Sequence, residues 1–369
     1  MDFGFSAEQD LLRSTAREAL AKQFPAGWQR PLLDAPLEDL NASLPSWERV
    51  ARLGWFGIGV PEAHGGAGGS FVDQLVVHEE LGRVLAPWGY AATVCGAAPA
   101  VDALAGGDQR VRLLTPLLDG RETGVLCARG QGAQLAVRRD GGGLVLDGTA
   151  GVIAGAAAAD LLVVIAELDG GEEVACAVRR GAAGVRVTPV RTIDPTAQAA
   201  RVELHAVGVA GDDVLPGTEV ASAVDAAHDR LAVASVAELC GAGERMLEMA
   251  VAHAREREQF GRPIGSFQAV KHMCADMLVR LESAKAAVHY AALTIAEQRS
   301  DAPLAASAAK AFAAEAIGLL AEDALQVHGG LGFSWEHDIH LFVRRAASVA
   351  RLHGSADAHR ERVATLIGL

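Results

Sequence analysis

A block of short, β-rich runs lies between two longer helical regions, and this change of pattern constrains the fold more than any other feature of the chain. Turn-forming segments such as 140–143 and 147–148 separate the runs. Many short strands at such close spacing predict a small antiparallel barrel or sandwich. The runs are Gly124–Cys127, Leu135–Arg138, Leu144–Leu146, Leu161–Ile165, Val174–Val178, Val185–Val190 and Ala200–Leu204.

Both flanks of this block carry helical periodicity. Ser6 precedes an acidic and amide-bearing first turn, which is typical of a helix N-cap. In the C-terminal flank, apolar residues recur every three or four positions from Phe267 to Val288. We therefore predict an α+β multidomain fold: an N-terminal helical domain over 1–115, a middle β domain over 116–215 and a C-terminal four-helix bundle over 216–369.

Composition excludes several classes of protein. Half of the 369 residues are hydrophobic, so the chain has ample apolar surface to fold, and its formal net charge of −13 provides no global attraction for nucleic acid. The five cysteines are scattered without a CxxC pair, which argues against a disulfide framework and a zinc site. No signal peptide and no membrane span are evident, and we expect a cytoplasmic protein.

Two glycine-bearing motifs in the C-terminal region indicate ligand binding. In 257–268, Gly261 and Pro263 end one helix and another begins near Ser266, so an arginine, a glutamine amide and a helix N-terminus come together. This grouping suits a pyrophosphate, although an ordinary corner with a solvated arginine fits the same residues. In 326–333, three glycines after a helix allow close backbone approach, although a helix cap and tight turn explain them equally well.

The two motifs occur in the order and spacing of acyl-CoA dehydrogenases, and nearly the whole chain resembles that family. The segments concerned are MDFGFSAEQDLLRSTARE, LGWFGIGVPEAHGGAGGSFVDQLVVHEELGRVLAP, HAREREQFGRPIGSFQAVKHMCADM and DALQVHGGLGF. The resemblance implies the same succession of helical domain, β domain and four-helix bundle. It also implies FAD-dependent oxidation of an acyl-CoA thioester to the 2,3-enoyl-CoA, with an electron-transfer flavoprotein as acceptor.

The resemblance assigns residues to FAD, which family members hold at a subunit interface. Positions that contact the ADP half of a neighbouring subunit's FAD match here as Arg257, Gln259, Phe260, Gln268, Gln326, Gly329 and Gly330. The positions that serve a subunit's own flavin ring do not match. The family's Thr-Glu-Pro and Gly-Ser-Asp stretch falls near 125–130, its ring-side aromatic residue reads Val152, and its hydroxyl residue reads Ala154.

The catalytic base also departs from the family pattern. The usual glutamate before Gly-Thr reads His353, followed by Gly354 and Ser355. A neutral imidazole can accept a proton, but a surface or interface histidine is the alternative interpretation. Some members place the base on an earlier helix, before an arginine, and this position matches Asp229. An aspartate reaches about 1.5 Å less far than a glutamate, and a simple ion pair explains it as well.

An uneven site follows, in which the nucleotide-binding residues are intact and the ring-side and base positions are not. This pattern predicts a heterotetramer in which a companion dehydrogenase subunit supplies the flavin pocket and base. Two alternatives stay open: a self-sufficient homotetramer that uses Asp229 or, less readily, His353, and a non-enzymatic scaffold that binds acyl-CoA or a partner protein.

Overall fold

The chain consists of helices before and after one central sheet, and its structure is a computed structural model that describes residues 4–39, 44, 47–128, 133–141, 143–168 and 171–369. The described helices are α1 (Ala7–Gln23), α2 (Arg30–Asp34), α3 (Glu48–Ala51), α4 (Phe71–Arg83), α5 (Gly89–Ala91), α6 (Ala98–Leu104), α7 (Gly107–Leu118), α8 (Val220–Glu256), α9 (Gln268–Ala296), α10 (Ala302–His328), α11 (Ile339–Val349) and α12 (Ala356–Leu366). The described strands are β1 (Gly124–Cys127), β2 (Gln134–Asp140), β3 (Gly143–Ile153), β4 (Leu161–Leu168), β5 (Glu173–Arg179), β6 (Val185–Pro189), β7 (Ala200–Val209), β8 (Val214–Leu215), β9 (Glu258–Gln259) and β10 (Arg262–Pro263). This order of elements confirms the predicted fold class.

The central sheet is mixed, whereas the sequence suggested an antiparallel one. Its strand order is β6-β7-β3-β2-β4-β5-β8, and β1 pairs with β4 off this path. β4 runs parallel to β1 over 161–164 and parallel to β2 over 167–168, while the other pairs are antiparallel. β1 and β4 are nearly continuous apolar runs because both faces of these strands are buried.

The described residues pack into two compact units. The helical unit comprises Met1–Arg30, Phe71–Ala86 and Ala232–Leu369, and the sheet unit comprises Pro31–Ser70 and Pro87–Leu231. The three predicted domains follow chain order, whereas these units group segments by packing, so the three-domain division stays a prediction. In the sheet unit, one apolar cluster joins α6, α7, β1, β4, β5 and the first turns of α8.

In the helical unit, α4 crosses α8 at two glycines. A Cβ on Gly82 would lie 1.8 Å from the Glu238 carbonyl oxygen, and a Cβ on Gly241 would lie 1.8 Å from the Glu79 carbonyl oxygen. The two backbones therefore touch where only glycine fits. The capping box predicted at Ser6 is confirmed at the start of α1.

The predicted four-helix bundle has one divided member. α8, α9 and α10 are long, whereas the fourth position is taken by α11 and α12 with a turn over 350–355 between them. The stretch Ala302–Phe333 is long and apolar enough to cross a membrane by length and composition, but 67% of its most apolar window is buried within the protein. Such burial is typical of a bundle core helix.

Candidate functional site

The seven residues matched to FAD all lie in the helical unit. α8 ends at Glu256, and the next residues form a short hairpin of β9 and β10 rather than more helix. Arg257 closes this hairpin, since its carbonyl oxygen accepts from the Ile264 amide at 2.8 Å. Gln268 is exposed as the first residue of α9, whose N-cap residue makes no side-chain capping bond. An arginine and an uncapped helix N-terminus are therefore near each other in sequence and structure.

The side chains of the hairpin point to solvent. The Phe260 side chain is 92% exposed, although its backbone φ of 53° is in the left-handed region. Its ring meets Phe267 edge-on with centroids 6.0 Å apart, and the Arg262 guanidinium lies 4.2 Å from the Phe267 ring centroid. Among the described residues, the Arg257 side chain makes no ion pair. Its charge is thus available to an anionic ligand.

A row of three histidine rings brings the second motif to the same end of the bundle. His253, on the last turn of α8, stacks on His328 at the end of α10 with centroids 4.8 Å apart. His337 continues the row at 4.5 Å from His328. Because Arg257 and Gly329 follow the first two rings closely in sequence, the row joins the two predicted nucleotide motifs. Among the described residues, no group of His, Cys, Asp and Glu could hold a metal ion.

This histidine row is held in its neutral form. Burial lowers the pKa of His328, whose Nδ1 lies 2.7 Å from the Ala324 carbonyl oxygen and therefore carries the proton. Burial also lowers the pKa of His253 and His337, and the neighbouring His328 adds to the effect. The Nε2 of His328 is buried without a hydrogen-bond partner among the described residues. A neutral row avoids like charges at a spacing of less than 5 Å.

The glycine-rich turn is open to a ligand on one side. Gly329 has φ +58°, and Gly332 needs its missing Cβ because that atom would lie 2.9 Å from the Leu325 side chain. By contrast, a Cβ on Gly330 would meet no atom within 4 Å, so packing within the described residues does not require glycine there. Open backbone at the same end of the bundle as the available Arg257 charge fits the nucleotide half of FAD.

The positions matched to the flavin ring lie in the sheet unit and are apolar. Val125 and Cys127 are buried in β1, and burial raises the pKa of Cys127 to about 12. Val152 is half-buried in β3, and Ala154 follows that strand. Neither side chain can donate a hydrogen bond to a flavin. Residues 129 and 130 of the predicted ring segment lie outside the described residues.

The two candidate bases lie in different units. Asp229 is 5% exposed on the first half of α8, in the sheet unit. Burial lowers the pKa of the adjacent Arg230, and the negative charge of Asp102 opposes this effect. His353 lies in the helical unit, half-buried in the turn after α11, with φ +56°. The roles of Asp229 and His353 stay predictions, as do those of the FAD-matched residues.

Sequence reasoning missed two features of the helical unit. One is the histidine row, although each ring lies next to a recognised motif. The other is the anchoring of the turn 350–355 by Lys310 and His359, which donate to backbone oxygens at its two ends. Arg345 is buried in the same unit, and its guanidinium pairs with Glu238 at 3.0 Å. In the sequence, the only sign that the turn 350–355 is anchored is a lysine, Lys310, within an alanine-rich helix.

Comparison with known proteins agrees with this geometry. The models "Acyl-CoA dehydrogenase, N-terminal domain" and "Acyl-CoA dehydrogenase, C-terminal domain" match residues 6–121 and 216–367. Acyl-CoA dehydrogenase FadE34 of Mycobacterium tuberculosis is 34% identical over 98% of this chain, which spans 47% of that relative. Acyl-CoA dehydrogenase IpdE2 of Mycolicibacterium smegmatis is 31% identical over 95% of each chain. The solved ChsE4-ChsE5 complex from Mycobacterium tuberculosis matches with a TM-score of 0.89 and 27% identity, covering 100% of both chains.

The chain belongs to the acyl-CoA dehydrogenase family, which confirms the resemblance found in the sequence. Members of this family are FAD-dependent oxidoreductases that act on acyl-CoA thioesters. FAD is therefore the cofactor that the residues of this site have to fit. The chain spans about half the length of FadE34.

Proposed function

We propose that this chain is one subunit of a heteromeric, FAD-dependent acyl-CoA dehydrogenase and lends the nucleotide-binding end of its bundle to the FAD of a companion subunit. The contact between His253 and His328 carries the proposal, because it gathers both FAD-matched motifs at one end of the helical unit. The reaction is oxidation of an acyl-CoA thioester to the enoyl-CoA, with an electron-transfer flavoprotein as acceptor.

The residues present fit the nucleotide half of FAD. Arg257 offers a charge for the pyrophosphate, the N-terminus of α9 beside Gln268 adds aligned backbone amides, and Gly330 admits a ligand to the backbone. When bound, FAD supplies the hydride acceptor of the dehydrogenation. The chain's own part is to hold the nucleotide.

The flavin-ring positions support division of labour between two chains. Removal of the α-proton of a thioester builds negative charge on its oxygen, which needs hydrogen-bond donors, and the flavin ring needs polar partners of its own. Val152 and Ala154 supply no side-chain donor. A companion subunit with an intact flavin-ring pocket would supply the hydrogen-bond donors and the polar partners of the ring. Its carboxylate base would remove the α-proton.

Two relatives favour pairing with a second chain. One solved structure that resembles this chain along its full length is named as a complex of two components, ChsE4 and ChsE5. FadE34 is about twice as long as this chain, so it has room for a second unit of similar size. We propose that the assembly is a heterotetramer, and the subunit stoichiometry of the purified complex tests this.

The test is purification of the chain alone and together with companion dehydrogenase subunits from its host, with flavin absorbance and subunit stoichiometry as readouts. We expect a colourless chain alone, and a yellow complex that reduces ferrocenium with acyl-CoA. A chain that alone binds one FAD per protomer and loses activity in Asp229→Asn contradicts the proposal and favours the homotetramer. A chain that stays colourless with every companion contradicts it in favour of a scaffold.

The nucleotide assignment is tested in the yellow complex by Arg257→Ala. Loss of one charged hydrogen-bonding partner costs about 1.5–3 kcal/mol, so FAD binding should weaken by about 10- to 100-fold. Arg255→Ala is the matched control, since Arg255 is an exposed arginine two residues before Arg257, on the last turn of α8. Equal FAD retention in Arg257→Ala and Arg255→Ala would refute the role of Arg257.

A further inference from the structure

The segment 331–338, which begins inside the glycine-rich turn after α10, presents three large apolar side chains to solvent. The exposed fractions are 40% for Leu331, 75% for Phe333 and 61% for Trp335. Phe260, in the hairpin that carries the other FAD-matched motif, is 92% exposed. The two segments that match nucleotide binding are therefore also the places where large aromatic side chains face solvent.

The exposed aromatic area is large enough to belong to a protein interface. An aromatic side chain contributes about 150–250 Å² when it is buried, so Phe260, Phe333 and Trp335 together expose on the order of 350–550 Å². A standard interface buries about 800 Å² on each partner, and these three side chains would supply roughly half of that. Single exposed hydrophobic residues need no partner, whereas an exposed area of this size indicates one.

One arginine fixes the backbone of the segment. Arg30 donates to the carbonyl oxygens of Trp335 and Glu336, the latter at 2.7 Å. Its Nε donates to the Asp338 carboxylate at 2.8 Å. Between these contacts, His337 packs into the histidine row at the end of the bundle. A segment held at four consecutive residues has little freedom left to lose when a partner binds, so binding costs less entropy.

The indole ring of Trp335 is supported from its own chain and still open on most of its surface. Its ring meets His340 edge-on with centroids 5.1 Å apart, and the Arg344 guanidinium lies 5.4 Å from the ring centroid. Both neighbours lie on α11. An exposed tryptophan beside an arginine, on a backbone that is already fixed, has the composition and rigidity typical of an interface hot spot.

We infer that the segment 331–338 is a docking surface for the companion dehydrogenase subunit and that Trp335 is its anchor. The inference rests on the proposed function, because a companion whose FAD is held at Gly329 and Gly330 has to approach the residues that follow them in the chain. The surface adds a contact between the two proteins, whereas Arg257 is assigned to the nucleotide.

The test measures the affinity of the full chain for the separately purified companion subunit of the yellow complex, by titration calorimetry at saturating FAD. Trp335→Ala should weaken binding by about 30-fold or more, as the loss of a hot-spot side chain does. The complex that still forms at high protein concentration should contain as much FAD as the wild type, unlike the Arg257→Ala complex. Leu11→Ala, which removes a 66% exposed apolar side chain from α1, is the control and should bind like the wild type.

The role of the Arg30 clamp is tested with a double-mutant cycle. Arg30→Ala should weaken binding by about tenfold when Trp335 is present and much less in the Trp335→Ala background, because the clamp acts through the anchor. Urea unfolding of each variant chain alone checks that the fold is retained. Equal effects of Arg30→Ala in the two backgrounds would show that the clamp does not act through Trp335.

Amide hydrogen exchange tests the surface without any substitution, since binding of the companion should slow exchange over 331–338 in the wild type. Unchanged exchange there, or wild-type affinity in Trp335→Ala, overturns the inference and leaves the proposed function intact. If Trp335→Ala instead breaks up an oligomer of this chain alone, the occupant is a second copy and the assigned partner is wrong. A wild-type chain that forms no complex with any companion contradicts the proposed function and with it this docking surface.

Discussion

The buried amine of Lys310 should make the stability of the helical unit depend on pH in a definite direction. Burial lowers its pKa from 10.5 to about 7. Between these two values the unfolded chain binds more protons than the folded chain, so the free energy of unfolding rises with pH. The slope approaches 1.36 kcal/mol per pH unit once the folded amine is neutral, which gives a rise of about 2 kcal/mol from pH 7 to pH 9.

Lys310→Met isolates this contribution. The variant has no titrating amine at the site, so the stability of the wild type minus that of the variant should rise by about 2 kcal/mol over pH 7–9 and stay flat below pH 6. At pH 7 the methionine variant should be the more stable protein, because it avoids burying a group that is charged when unfolded. The other titrating groups, including Cys127 and Cys240 with pKa raised by burial, cancel in the difference.

Urea unfolding followed by far-UV circular dichroism at pH 6, 7, 8 and 9 measures this difference at a fixed protein concentration. A difference that stays constant from pH 7 to pH 9 would refute the reasoning. Amide hydrogen exchange provides a second readout. Because Lys310 donates to the Val349 carbonyl oxygen, Lys310→Met should stabilise the unit at neutral pH and yet speed amide exchange over the turn 350–355. A lysine that served only the bundle core would not produce both effects.

Two further predictions concern the packing of the helical unit. Gly241→Ala should lower the free energy of unfolding by about 3 kcal/mol or more, because its Cβ would lie 1.8 Å from the Glu79 carbonyl oxygen and overpack the helix crossing. Gly318→Ala is the control, since no atom lies within 4 Å of the new Cβ. In the same urea assay it should be neutral or stabilising by about 0.5–1 kcal/mol. Glu238→Gln removes the carboxylate charge that pairs with Arg345 and lies 3.1 Å from His78, and it should lower the free energy of unfolding by about 3–5 kcal/mol. Glu315→Gln is the control, because its pair with Arg360 is exposed, and it should change the urea midpoint little. Equal effects of the two substitutions would contradict the burial of the Glu238 pair.

Much of the fold was predictable because its signals are local. The seven predicted strands all appear. β3 and β7 extend further than their apolar runs, since pairing continues through Asp147, which lies opposite Ala136, and through Gly208, which lies opposite Val145. The parallel pairing of β1 with β4 was not predictable. The chain between them contains β2 and β3, and alternation along a strand does not reveal its neighbour. The break in the fourth bundle helix was missed because Gly354 alone marks it.

The candidate site shows the same division between local and distant information. The sequence indicates that Arg257 and Gly329 belong to binding motifs, because each motif is contiguous. It does not indicate that His253 touches His328, since 75 positions separate them and only the packing of α8 against α10 decides the contact. The anchors of the turn are also distant: Lys310 precedes Val349 by 39 positions. By contrast, the sequence alone shows that Val152 and Ala154 are apolar.

The uneven survival of the two halves of the site has a physical reason if the chain holds no flavin ring of its own. Donors that face a buried ring cost about 1–3 kcal/mol each when the ring is absent, because they stay unsatisfied in an apolar setting. Val152 and Ala154 avoid that cost. The nucleotide-side residues Arg257 and Gln268 are exposed, so water satisfies them until a nucleotide arrives and their retention costs little. Lys310 and His359 do not follow this rule, since both are buried. Their donor groups are instead satisfied inside the protein, because each donates to a backbone oxygen, at Val349 and His353 respectively.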